Sequence, residues 1–593
     1  MHILGISCHY HDAAAVLLRD GELVAAAQEE RFSRKKHDAE FPARAIAYCL
    51  EEAGIGPGEL DYAVFYEKPF RKAERLATSV LATFPRSRRL FQDGMHLLLR
   101  DKLWIKDLIR RQVGIDPGRI LFVEHHISHA ASALFASPFE EAAILTVDGV
   151  GEWTTATLGR GRAHWETGAS AIDLTHELRF PHSLGLLYSV FTAFLGFEVN
   201  EGEYKVMGMA PFGEPRYVEA IREIVELRDD GSLWLDPAYV SFPYHTQRSF
   251  TRAFERRFGT PRDPRARFVT ARTSLYDDPR PPTGEELRAN QYYADIAASI
   301  QQVTEDVMIA MARHLHRQTG LAKLCLAGGV ALNCVANYKV LRQTPFEELY
   351  VQPAAGDAGG ALGAALYAYH VLLGKPRRFV MDHAHWGRRY AEALIAETLD
   401  AQGTRYDRID DDERLLDEVV ADLVNGKVIG WYHGRFEWGP RALGSRSIIA
   451  DPRREDMKDI VNIKIKFREP FRPFAPSVLA DKASQIFDLP DAEKHYPTRF
   501  MLYVTPVLSD RVPAITHADG SSRPQLVHRD TNPRYHRLIE KFAEASGVPL
   551  VLNTSFNLKG EPIVGSPADA LNTFRRSGMD TLVLENFLVR KAR

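Results

Sequence analysis

The chain has 593 residues, with 75 Lys and Arg against 78 Asp and Glu, so its formal charge is −3. Hydrophobic residues make up 45% and charged residues 26%, which is typical of a folded globular protein and excludes a mainly disordered one. The nearly balanced charge argues against a dedicated nucleic-acid-binding protein, because such proteins need a basic surface that attracts phosphates. We therefore expect no nucleic-acid partner.

The cysteines and the least polar stretch indicate the compartment. The four cysteines, Cys8, Cys49, Cys325 and Cys334, form no CxxC pair, which favours thiols in a reducing cytoplasm. The N-terminal residues lack the basic segment and long apolar run of a signal peptide. The least polar stretch, residues 180–197, contains Pro, His, Ser and Thr and predicts a buried helix rather than a membrane span. We expect a cytoplasmic protein without a membrane partner.

A strand–loop–strand–turn–strand pattern opens the chain. Ile3–Ser7 and Ala13–Leu18 are apolar segments separated by a polar loop, and Asp20-Gly21 is a hairpin signal before Leu23–Ala27. These segments predict three strands connected by one loop and one tight turn.

The stretch from Glu124 to His129, EHHISH, predicts the start of a helix with two histidines on one face. His125 and His129 are four residues apart, so both imidazoles can reach one metal ion. Asp148 and Asp357 each follow an apolar strand beside glycines and qualify as carboxylate ligands. This ligand set suits Fe(II), Mn(II) or Zn(II). Alternatively, the histidines cap the helix or are hydrogen-bonded in the core.

The opening pattern returns after residue 141. Ala142–Val147 and Trp153–Leu158 predict two strands around a Gly-rich loop, and residues 159–161 predict a turn before a third strand at Ala163–Glu166. This repetition predicts an internal duplication with two facing halves, as in actin/hexokinase-like nucleotide-binding folds. The loops between the first two strands touch phosphates in such folds, so Gly149 and Gly151 are candidate nucleotide-binding residues.

Three further segments are candidate nucleotide contacts. Glu203 and Lys205 precede Gly208 and offer a carboxylate and an ammonium for ribose hydroxyls and phosphate, although a solvated loop explains them equally well. Gly328, Gly329 and Asn333 connect the strand Leu324–Ala327 to a probable helix, where glycines admit a ligand to the backbone. Gly356 begins a similar cluster at the next strand end. Tight strand–helix turns are the alternative for both glycine clusters.

The middle of the chain gives the expected domain boundaries. Apolar residues between Ile296 and Leu315 follow the period of one long helix, with Gly320 as a stop. Residues 229–285 are polar and Pro-rich and predict a surface insertion. Residues 376–395 are basic and irregular, and we take them as a linker. The expected domains are therefore residues 1–375 and residues 396–593.

The second domain contains a concentration of basic residues within GRFEWGPRALGSRS and KFREPFRPFAP. Arginine binds phosphate oxygens bidentately, and a local cationic pocket in a balanced chain indicates a small anionic ligand. Short amides and hydroxyls after the strand Val548–Leu552 can contact the same ligand, whereas surface charge and a turn are the alternative. The candidates are Arg441, Arg446, Lys464, Lys466, Arg468, Arg472, Arg523, His528, Asn553, Ser555 and Asn557.

Ten short motifs, spread over nearly the whole chain, follow one another in the same order as in one known protein family. They are YHDAAAVLL, EERFSRKKHD, HHISHAASALFASPF, TVDGVGEWTT, GEYKVMGMAPFG, LAGGVALNCVAN, PAAGDAGGALGAA, GRFEWGPRALGSRSIIADPR, KFREPFRPFAPSVLAD and LNTSFNLKGEPIV. With these motifs the chain resembles the NodU/CmcH carbamoyltransferase family, including its TobZ-type O-carbamoyltransferases. The resemblance implies an α/β protein with a duplicated actin/hexokinase-like N-terminal domain and a YrdC-like C-terminal α/β domain.

The resemblance also implies a reaction and its site residues. The C-terminal domain would convert carbamoyl phosphate and ATP, with Mg(II), to carbamoyl-adenylate, and the N-terminal domain would transfer the carbamoyl group to a small-molecule hydroxyl acceptor. A divalent metal, typically Fe(II), would be held by His125, His129, Asp148 and Asp357. His11 would act as a base or orient the acceptor, with Asp12, Lys35 and Lys36 as further catalytic candidates. A homodimer is compatible with the resemblance.

Three other functions remain open on the residues alone. A small-molecule kinase of the actin/hexokinase-like class explains the duplication but not the HxxxH spacing or the basic pocket. Transfer of a threonylcarbamoyl group to tRNA uses related chemistry, and the near-neutral charge argues against it. A non-catalytic nucleotide-binding switch would not need the metal-type aspartates or the arginine cluster.

Overall fold

The computed structural model describes residues 1–97, 104–273 and 280–591. These residues form two compact units. The N-terminal unit comprises Met1–Glu29, His37–Arg267 and Arg288–Met381, and the C-terminal unit comprises Glu30–Lys36, Phe268–Leu287 and Asp382–Arg593. Residues 274–279 of the expected insertion lie outside the described residues. The expected limits of the domains, the insertion and the linker stay a prediction.

The N-terminal unit contains two five-stranded sheets and a short hairpin. The first sheet is formed by β1 (His2–Ser7), β2 (Ala14–Arg19), β3 (Glu22–Gln28), β4 (Tyr62–Phe65) and β5 (Ile120–Phe122), and the second by β6 (Glu141–Val147), β7 (Thr154–Arg162), β8 (Ala171–Arg179), β11 (Lys323–Ala327) and β12 (Glu348–Tyr350). The hairpin is formed by β9 (Val225–Leu227) and β10 (Leu233–Leu235).

The two sheets have the same topology. Their orders are β3-β2-β1-β4-β5 and β8-β7-β6-β11-β12, each with three antiparallel strands followed by two parallel ones. The duplication predicted from the repeated strand pattern is therefore confirmed, and the N-terminal unit is a duplicated actin/hexokinase-like fold.

The helices of the chain up to the end of the N-terminal unit alternate with these strands. They are α1 (Glu30–Ser33), α2 (Ala43–Ala53), α3 (Pro69–Thr83), α4 (Arg88–Leu97), α5 (Ile105–Val113), α6 (His125–Leu134), α7 (Leu184–Phe194), α8 (Glu203–Met209), α9 (Val218–Arg222), α10 (Arg252–Phe258), α11 (Gly284–Thr319), α12 (Cys334–Gln343) and α13 (Asp357–Tyr367). The buried helix expected within residues 180–197 is α7, and the long helix expected to stop at Gly320 is α11.

The turn and third strand predicted after Leu158 are wrong. Gly159 and Gly161 lie inside β7, which continues to Arg162, and the third strand is β8. A Cβ atom at Gly159 would lie 2.1 Å from the carbonyl oxygen of Asp173, and one at Gly161 would lie 2.4 Å from the Leu134 side chain. These glycines therefore allow close packing within a strand, which a sequence pattern does not distinguish from a turn.

Helices α6 and α13 pack against each other in the core of the N-terminal unit. Helix α13 also contacts β1 and β2 of the first sheet, whereas α6 contacts β6 and β11 of the second. A Cβ atom at Gly363 of α13 would lie 1.7 Å from the carbonyl oxygen of Ser128 in α6. Small residues thus bring the two helices into close contact, and with them the side chains at their N-terminal ends.

The C-terminal unit is built on one mixed eight-stranded sheet of order β13-β22-β21-β14-β15-β20-β16-β19. Its strands, with the small hairpin β17–β18, are β13 (Asp407–Arg408), β14 (Ile429–Tyr432), β15 (Arg446–Ala450), β16 (Ala475–Leu479), β17 (Thr505–Pro506), β18 (Ser521–Ser522), β19 (Gln525–Val527), β20 (Leu550–Ser555), β21 (Thr581–Leu584) and β22 (Phe587–Arg590).

The helices that accompany this sheet are α14 (Glu392–Ala401), α15 (Asp412–Val424), α16 (Met457–Asp459), α17 (Tyr496–Arg499), α18 (Pro533–Ser546) and α19 (Pro567–Arg576). Helices α15 and α18 pack against each other and place Leu423 and Phe542 in a core with Trp431 of β14. The expected α/β class therefore holds for both units.

Candidate functional site

Helix α6 begins at His125, and a carboxylate from another part of the chain caps its N-terminal end. The carboxylate of Glu152, which is 6% exposed, accepts hydrogen bonds from the backbone N–H of His125 at 3.1 and 3.2 Å. The same carboxylate accepts the N–H of Lys68 at 2.8 Å. A negative charge at a helix N-terminus is favourable, so Glu152 fixes the position of the first turn of α6.

Four side chains converge at the start of α6 and α13. The Nε2 atoms of His125 and His129 lie 3.0 Å apart, and His125 Nε2 lies 3.0 Å from Asp148 Oδ2. Asp357, the first residue of α13, places Oδ1 at 3.7 Å from both Nε2 atoms. The ligand atoms of these four buried residues all lie within 4.8 Å of one another. Two imidazoles and two carboxylates form a donor set typical of Fe(II), Mn(II) or Zn(II) sites.

The neighbours of these four residues fit a metal site. Asp148 Oδ1 accepts the N–H of Gly329 at 2.8 Å, and the Tyr66 hydroxyl donates to Asp357 Oδ2 at 3.4 Å. In each carboxylate, one oxygen is held by this hydrogen bond, and the other oxygen lies within 3.7 Å of the imidazole nitrogens. Among the described residues, the Nδ1 atoms of His125 and His129 have no hydrogen-bond partner. Their Nε2 atoms are the nitrogens that would bind the ion.

The charge of the cluster also fits a cation. Although burial disfavours a charged imidazole, Asp357 and Asp148 raise the pKa of His125 to about 9. Burial opposes the charged form of Asp148 as well, yet the two histidines hold its pKa well below the usual value. The cluster therefore stabilises positive charge at its centre, and a divalent ion that replaces the imidazole proton would satisfy it.

The middle histidine of EHHISH has a structural role. His126 lies with Nδ1 at 2.6 Å from Thr146 Oγ1 and Nε2 at 2.9 Å from the carbonyl oxygen of Thr154. Burial and the neighbouring imidazoles lower its pKa well below 6.5, so it is neutral. This side chain links α6 to β6 and β7.

His11 and Asp12 belong to a second polar cluster of the N-terminal unit. Asp12 receives hydrogen bonds from His11 Nδ1 at 3.0 Å and His37 Nδ1 at 2.8 Å. Burial disfavours a charged imidazole, but Asp357, Asp12 and Asp148 raise the pKa of His11 to about 9. Since Asp12 fixes the Nδ1 side of the ring, Nε2 of His11 is the atom available for proton transfer.

Lys35 and Lys36 are in the other unit. The segment Glu30–Lys36 groups with the C-terminal unit, where Arg31 donates to the carbonyl oxygen of Gly439 at 2.7 Å. Arg34 donates to the carbonyl oxygens of Ile563 at 2.6 Å and Pro562 at 3.0 Å. The structure thus assigns Lys35 and Lys36 to a different unit from His11 and Asp12, although all four stand within 26 residues of sequence.

The expected nucleotide contacts have mixed environments. A Cβ at Gly149 or Gly356 would meet its nearest neighbour at 3.9 Å, an ordinary van der Waals contact, whereas a Cβ at Gly151 would meet the His125 ring at 2.8 Å. Gly328 has φ of +93° and its Cβ would meet the carbonyl oxygen of Val147 at 2.2 Å. Gly329 donates its N–H to Asp148, as described above.

Four other candidates are packed or hydrogen-bonded within the fold. Glu203 lies on α8, where Oε1 accepts from Ser189 Oγ at 2.8 Å and from Asn200 N at 3.0 Å, and Gly208 is buried in the same helix. Lys205 Nζ lies 5.6 Å from the centre of the Phe197 ring. Asn333 caps α12 by accepting the N–H of Ala336 at 3.1 Å.

Lys466 is the centre of the basic cluster in the C-terminal unit. Its buried ammonium donates to Ser555 O at 2.6 Å, Ser555 Oγ at 3.0 Å and Asn557 Oδ1 at 2.6 Å. Burial lowers its pKa well below 10.5, and Arg468 and Arg472 lower it further. All three of these hydrogen-bond acceptors are neutral, so an anion beside these cations would relieve their mutual repulsion.

Two of the expected phosphate ligands donate hydrogen bonds to backbone carbonyl groups. Arg446, which is fully buried, donates to the carbonyl oxygens of His433 and Ser445 at 3.0 Å and of Gly434 at 3.1 Å. Asn553 donates to Ala442 O at 3.1 Å. These hydrogen bonds make both side chains part of the scaffold of the basic cluster.

The other candidates of this unit are partly accessible. Arg472 lies 3.8 Å from Glu469, and Arg468 donates through Nε to Asn462 Oδ1 at 2.6 Å. Lys464 is exposed, and Arg441 is partly exposed. Arg523 and His528 flank β19, and burial with the nearby Arg499 lowers the pKa of His528 to about 4, so its imidazole is neutral.

Sequence reasoning missed the residues that hold the site in place. Glu152 and His37 occur in the motifs TVDGVGEWTT and EERFSRKKHD, but nothing in their spacing singles them out. Glu437 was also missed: its Oε1 accepts the N–H groups of Leu443 and Ser445 at 2.8 Å and of Arg446 at 3.1 Å. A lone glutamate inside an arginine-rich motif was the available signal.

The duplicated fold with a two-histidine, two-carboxylate cluster defines a class of α/β proteins with a metal-type site. The chain matches the family model of the carbamoyltransferase N-terminus over residues 2–366 and that of the carbamoyltransferase C-terminus over residues 420–591. It therefore belongs to the carbamoyltransferase family, as the motifs led us to expect.

Three relatives illustrate this membership. The uncharacterized protein sll1178 of Synechocystis sp. is 45% identical over 100% of this chain and 97% of its own length. The nodulation protein NolNO of Sinorhizobium fredii is 39% identical over 98% of this chain and 79% of its own. The 3'-hydroxymethylcephem-O-carbamoyltransferase of Amycolatopsis lactamdurans is 32% identical over 44% of this chain and 47% of its own.

Among the residues that the structure describes, none of the helices combines the length and apolar character that crossing a bilayer requires.

Proposed function

We propose that this protein is an ATP-dependent O-carbamoyltransferase that uses carbamoyl phosphate and modifies a hydroxyl of a small molecule, such as a sugar or natural product. The observation that carries this proposal is the buried cluster of His125, His129, Asp148 and Asp357 in a chain of the carbamoyltransferase family. The relative that acts on a cephem hydroxymethyl group supports a hydroxyl as the acceptor.

The basic cluster of the C-terminal unit supports the adenylating half-reaction. Water cleaves carbamoyl phosphate to carbamate and phosphate. A carbamate oxygen then attacks the α-phosphorus of ATP, and the bond to the β-phosphate breaks to release pyrophosphate. Lys466, Arg468 and Arg472 would hold the phosphate oxygens, with Mg(II) on ATP. Burial and the charges of Arg468 and Arg472 lower the pKa of Lys466, and an anionic substrate beside the three side chains would offset this effect.

The N-terminal unit supports the transfer half-reaction. The acceptor oxygen attacks the carbamoyl carbon, the bond between that carbon and the adenylate oxygen breaks, and AMP leaves. His11 would take the acceptor proton at Nε2 while Asp12 holds the ring. A metal ion, Fe(II) by family resemblance, would be held by the four-residue cluster and would supply Lewis-acid stabilisation of developing negative charge.

The pKa of His11 is compatible with this role. The value of about 9 arises because Asp357, Asp12 and Asp148 outweigh the effect of burial. A divalent cation held by Asp148 and Asp357 would offset their charge and return the imidazole towards its neutral form. His11 is then able to accept a proton near neutral pH.

The test separates the two half-reactions. Pyrophosphate release from ATP is measured with and without carbamoyl phosphate, without an acceptor, and metal content is measured in parallel. We expect release only with carbamoyl phosphate. His129→Ala should lose bound metal and carbamoyl transfer but retain pyrophosphate release, whereas Arg472→Ala should retain metal and lose release.

Two results would contradict the proposal. ADP formed only on addition of an alcohol or sugar would indicate a kinase. Full carbamoyl transfer by His129→Ala would show that the four-residue cluster is not the metal site.

A further inference from the structure

A helical hairpin of the N-terminal unit exposes large apolar side chains. Helices α3 and α4 are joined by residues 84–87, and around this connection Leu81 is 78% exposed, Phe84 70% and Phe91 48%. Phe70, which is 77% exposed, lies on the same face of α3 as Leu81 because eleven residues complete about three turns. We call residues 81–91 the hairpin tip.

The hairpin tip is also basic. Its sequence, LATFPRSRRLF, contains three arginines and no acidic residue. Arg86, Arg88 and Arg89 are all exposed. Apolar side chains that protrude beside arginines differ from a solvated helix face, where acidic and basic residues alternate.

The tip is held in a defined conformation. The buried hydroxyl of Ser87 donates to the carbonyl oxygen of Val80 at 2.6 Å. The N–H of Arg86 donates to Thr83 O at 3.0 Å, and the N–H of Phe91 donates to Ser87 O at 2.8 Å. These hydrogen bonds fix the backbone that carries the apolar side chains. Binding would therefore cost little additional conformational entropy.

We propose that the hairpin tip binds the surface of an anionic lipid bilayer, with Leu81, Phe84 and Phe91 inserted among the lipids and the arginines at the headgroups. Leu, Phe and basic residues together are typical of segments that lie in the membrane interface. Anionic headgroups attract each nearby arginine.

Two other occupants fit less well. A second copy of the tip would bring together two groups of three positive charges, which repel each other. An acidic peptide would pair with the arginines, but side chains that are 70–78% exposed protrude from the surface instead of lining a groove for a peptide.

Surface binding requires no spanning helix, and it departs from the expectation that the protein has no membrane partner. The proposal also goes beyond the carbamoyl-transfer function. Helix α3 contacts the loop of the metal-type cluster, since Arg75 donates to the carbonyl oxygen of Gly151 at 2.7 Å. Binding through the tip would therefore hold this part of the N-terminal unit close to the lipid surface.

The experiment is co-sedimentation of the full chain with vesicles of phosphatidylcholine alone, or of equal parts phosphatidylcholine and phosphatidylglycerol. We expect binding to the anionic vesicles only, and weaker binding at high salt because of screening. Combining Arg86→Gln, Arg88→Gln and Arg89→Gln should weaken binding about a hundredfold. Combining Leu81→Ser and Phe84→Ser should weaken it by a similar factor, about a hundredfold.

Matched controls change the same chemistry elsewhere. Arg252→Gln, Arg256→Gln and Arg317→Gln together remove the same charge from exposed positions of the same unit. Leu508→Ser removes an apolar side chain that is 62% exposed in the C-terminal unit. Both controls should bind vesicles like the unchanged protein, and thermal unfolding should be the same for all variants.

Three outcomes would overturn the proposal. These are no binding of the unchanged protein to anionic vesicles, equal binding to neutral vesicles, or unchanged binding by both tip variants. Sedimentation velocity without lipid identifies a self-interface: a dimer that dissociates only in the tip variants would assign this surface to a second copy and exclude the lipid proposal.

Discussion

At the scale of single residues, Glu437 organises the loop that carries the arginines of the C-terminal unit. One of its oxygens accepts three backbone N–H groups, from Leu443, Ser445 and Arg446. The carbonyl oxygen of Leu443 in turn accepts from Gln525 at 2.8 Å. The backbone of the loop that carries Arg441 is therefore already hydrogen-bonded. Binding an anion at Arg441 would require little rearrangement of this loop.

We expect Glu437→Ala to destabilise the C-terminal unit by about 3 kcal/mol, because it leaves three buried N–H groups without an acceptor. Glu437→Gln keeps an amide oxygen at the same place and should recover most of this loss. Urea unfolding measures the stability, and carbamoyl-phosphate-dependent pyrophosphate release should fall with it. The exposed Glu493→Ala is the control, and a Glu437→Ala variant as stable as the unchanged protein would contradict this role for Glu437.

At the scale of elements, close packing of α6 and α13 brings the metal-type cluster together. A Cβ at Gly363 would overlap Ser128 of α6, and a Cβ at Gly5 of β1 would lie 2.0 Å from the carbonyl oxygen of Ala361. Glycine and alanine along α13 therefore allow this helix to pack closely against α6 and against β1. Larger side chains at these positions would keep the elements further apart. The N-terminal ends of both helices then supply ligands to one point.

The loop between β6 and β7 offers a direct test of this geometry. A Cβ at Gly151 would lie 2.8 to 2.9 Å from atoms of His125, whereas at Gly149 the nearest atom is a Leu186 methyl at 3.9 Å. We expect Gly151→Ala to displace His125 and weaken metal binding about 10- to 100-fold, as a disturbed ligand shell does. Gly149→Ala is the matched control and should bind metal normally.

Titration of the metal-free protein with Mn(II) or Fe(II) measures this difference. Pyrophosphate release reports on the C-terminal unit and should be unchanged in both variants. Equal affinities for Gly151→Ala and Gly149→Ala would show that the loop does not position His125.

At the scale of the whole molecule, buried neutral histidines in both units make stability depend on pH. Burial lowers the pKa of His370 in the N-terminal unit to about 4. In the C-terminal unit, burial lowers the pKa of His385 to about 3 and of His517 to about 4. The unfolded chain takes up these protons near pH 6.5, so between pH 6.5 and about 4 it binds more protons than the folded chain.

The contribution of these histidines to stability is therefore complete above pH 6.5 and is lost as the pH falls towards 4. We expect the midpoint of thermal unfolding to decrease steadily over this range, by several degrees or more, since each kcal/mol shifts it by about 2–4 °C in large domains. Scanning calorimetry at a series of pH values measures the change. His370→Gln should flatten the dependence for the N-terminal unit, and a midpoint independent of pH would contradict the assignment of neutral histidines.

The sequence alone was sufficient for features that depend on local patterns. Alternating apolar strands and glycine turns repeat in the chain, so the duplication of the N-terminal unit could be predicted from two short stretches. The spacing of His125 and His129 places both on one helix face whatever surrounds them. Ten motifs that stand in the order of the carbamoyltransferase family along nearly the whole chain indicated that family, because agreement at so many places at once is specific.

The tertiary structure decided which polar groups are available and which are already hydrogen-bonded. Arg446 and Arg441 look equivalent in the sequence, yet Arg446 is fully buried and donates to three carbonyl oxygens, whereas Arg441 is partly exposed. Asn333 caps a helix, and Lys35 and Lys36 group with the C-terminal unit. Hydrogen-bond partners come from residues far apart in the chain, so no local pattern encodes them, and packing alone determines which side chains are left to meet a ligand.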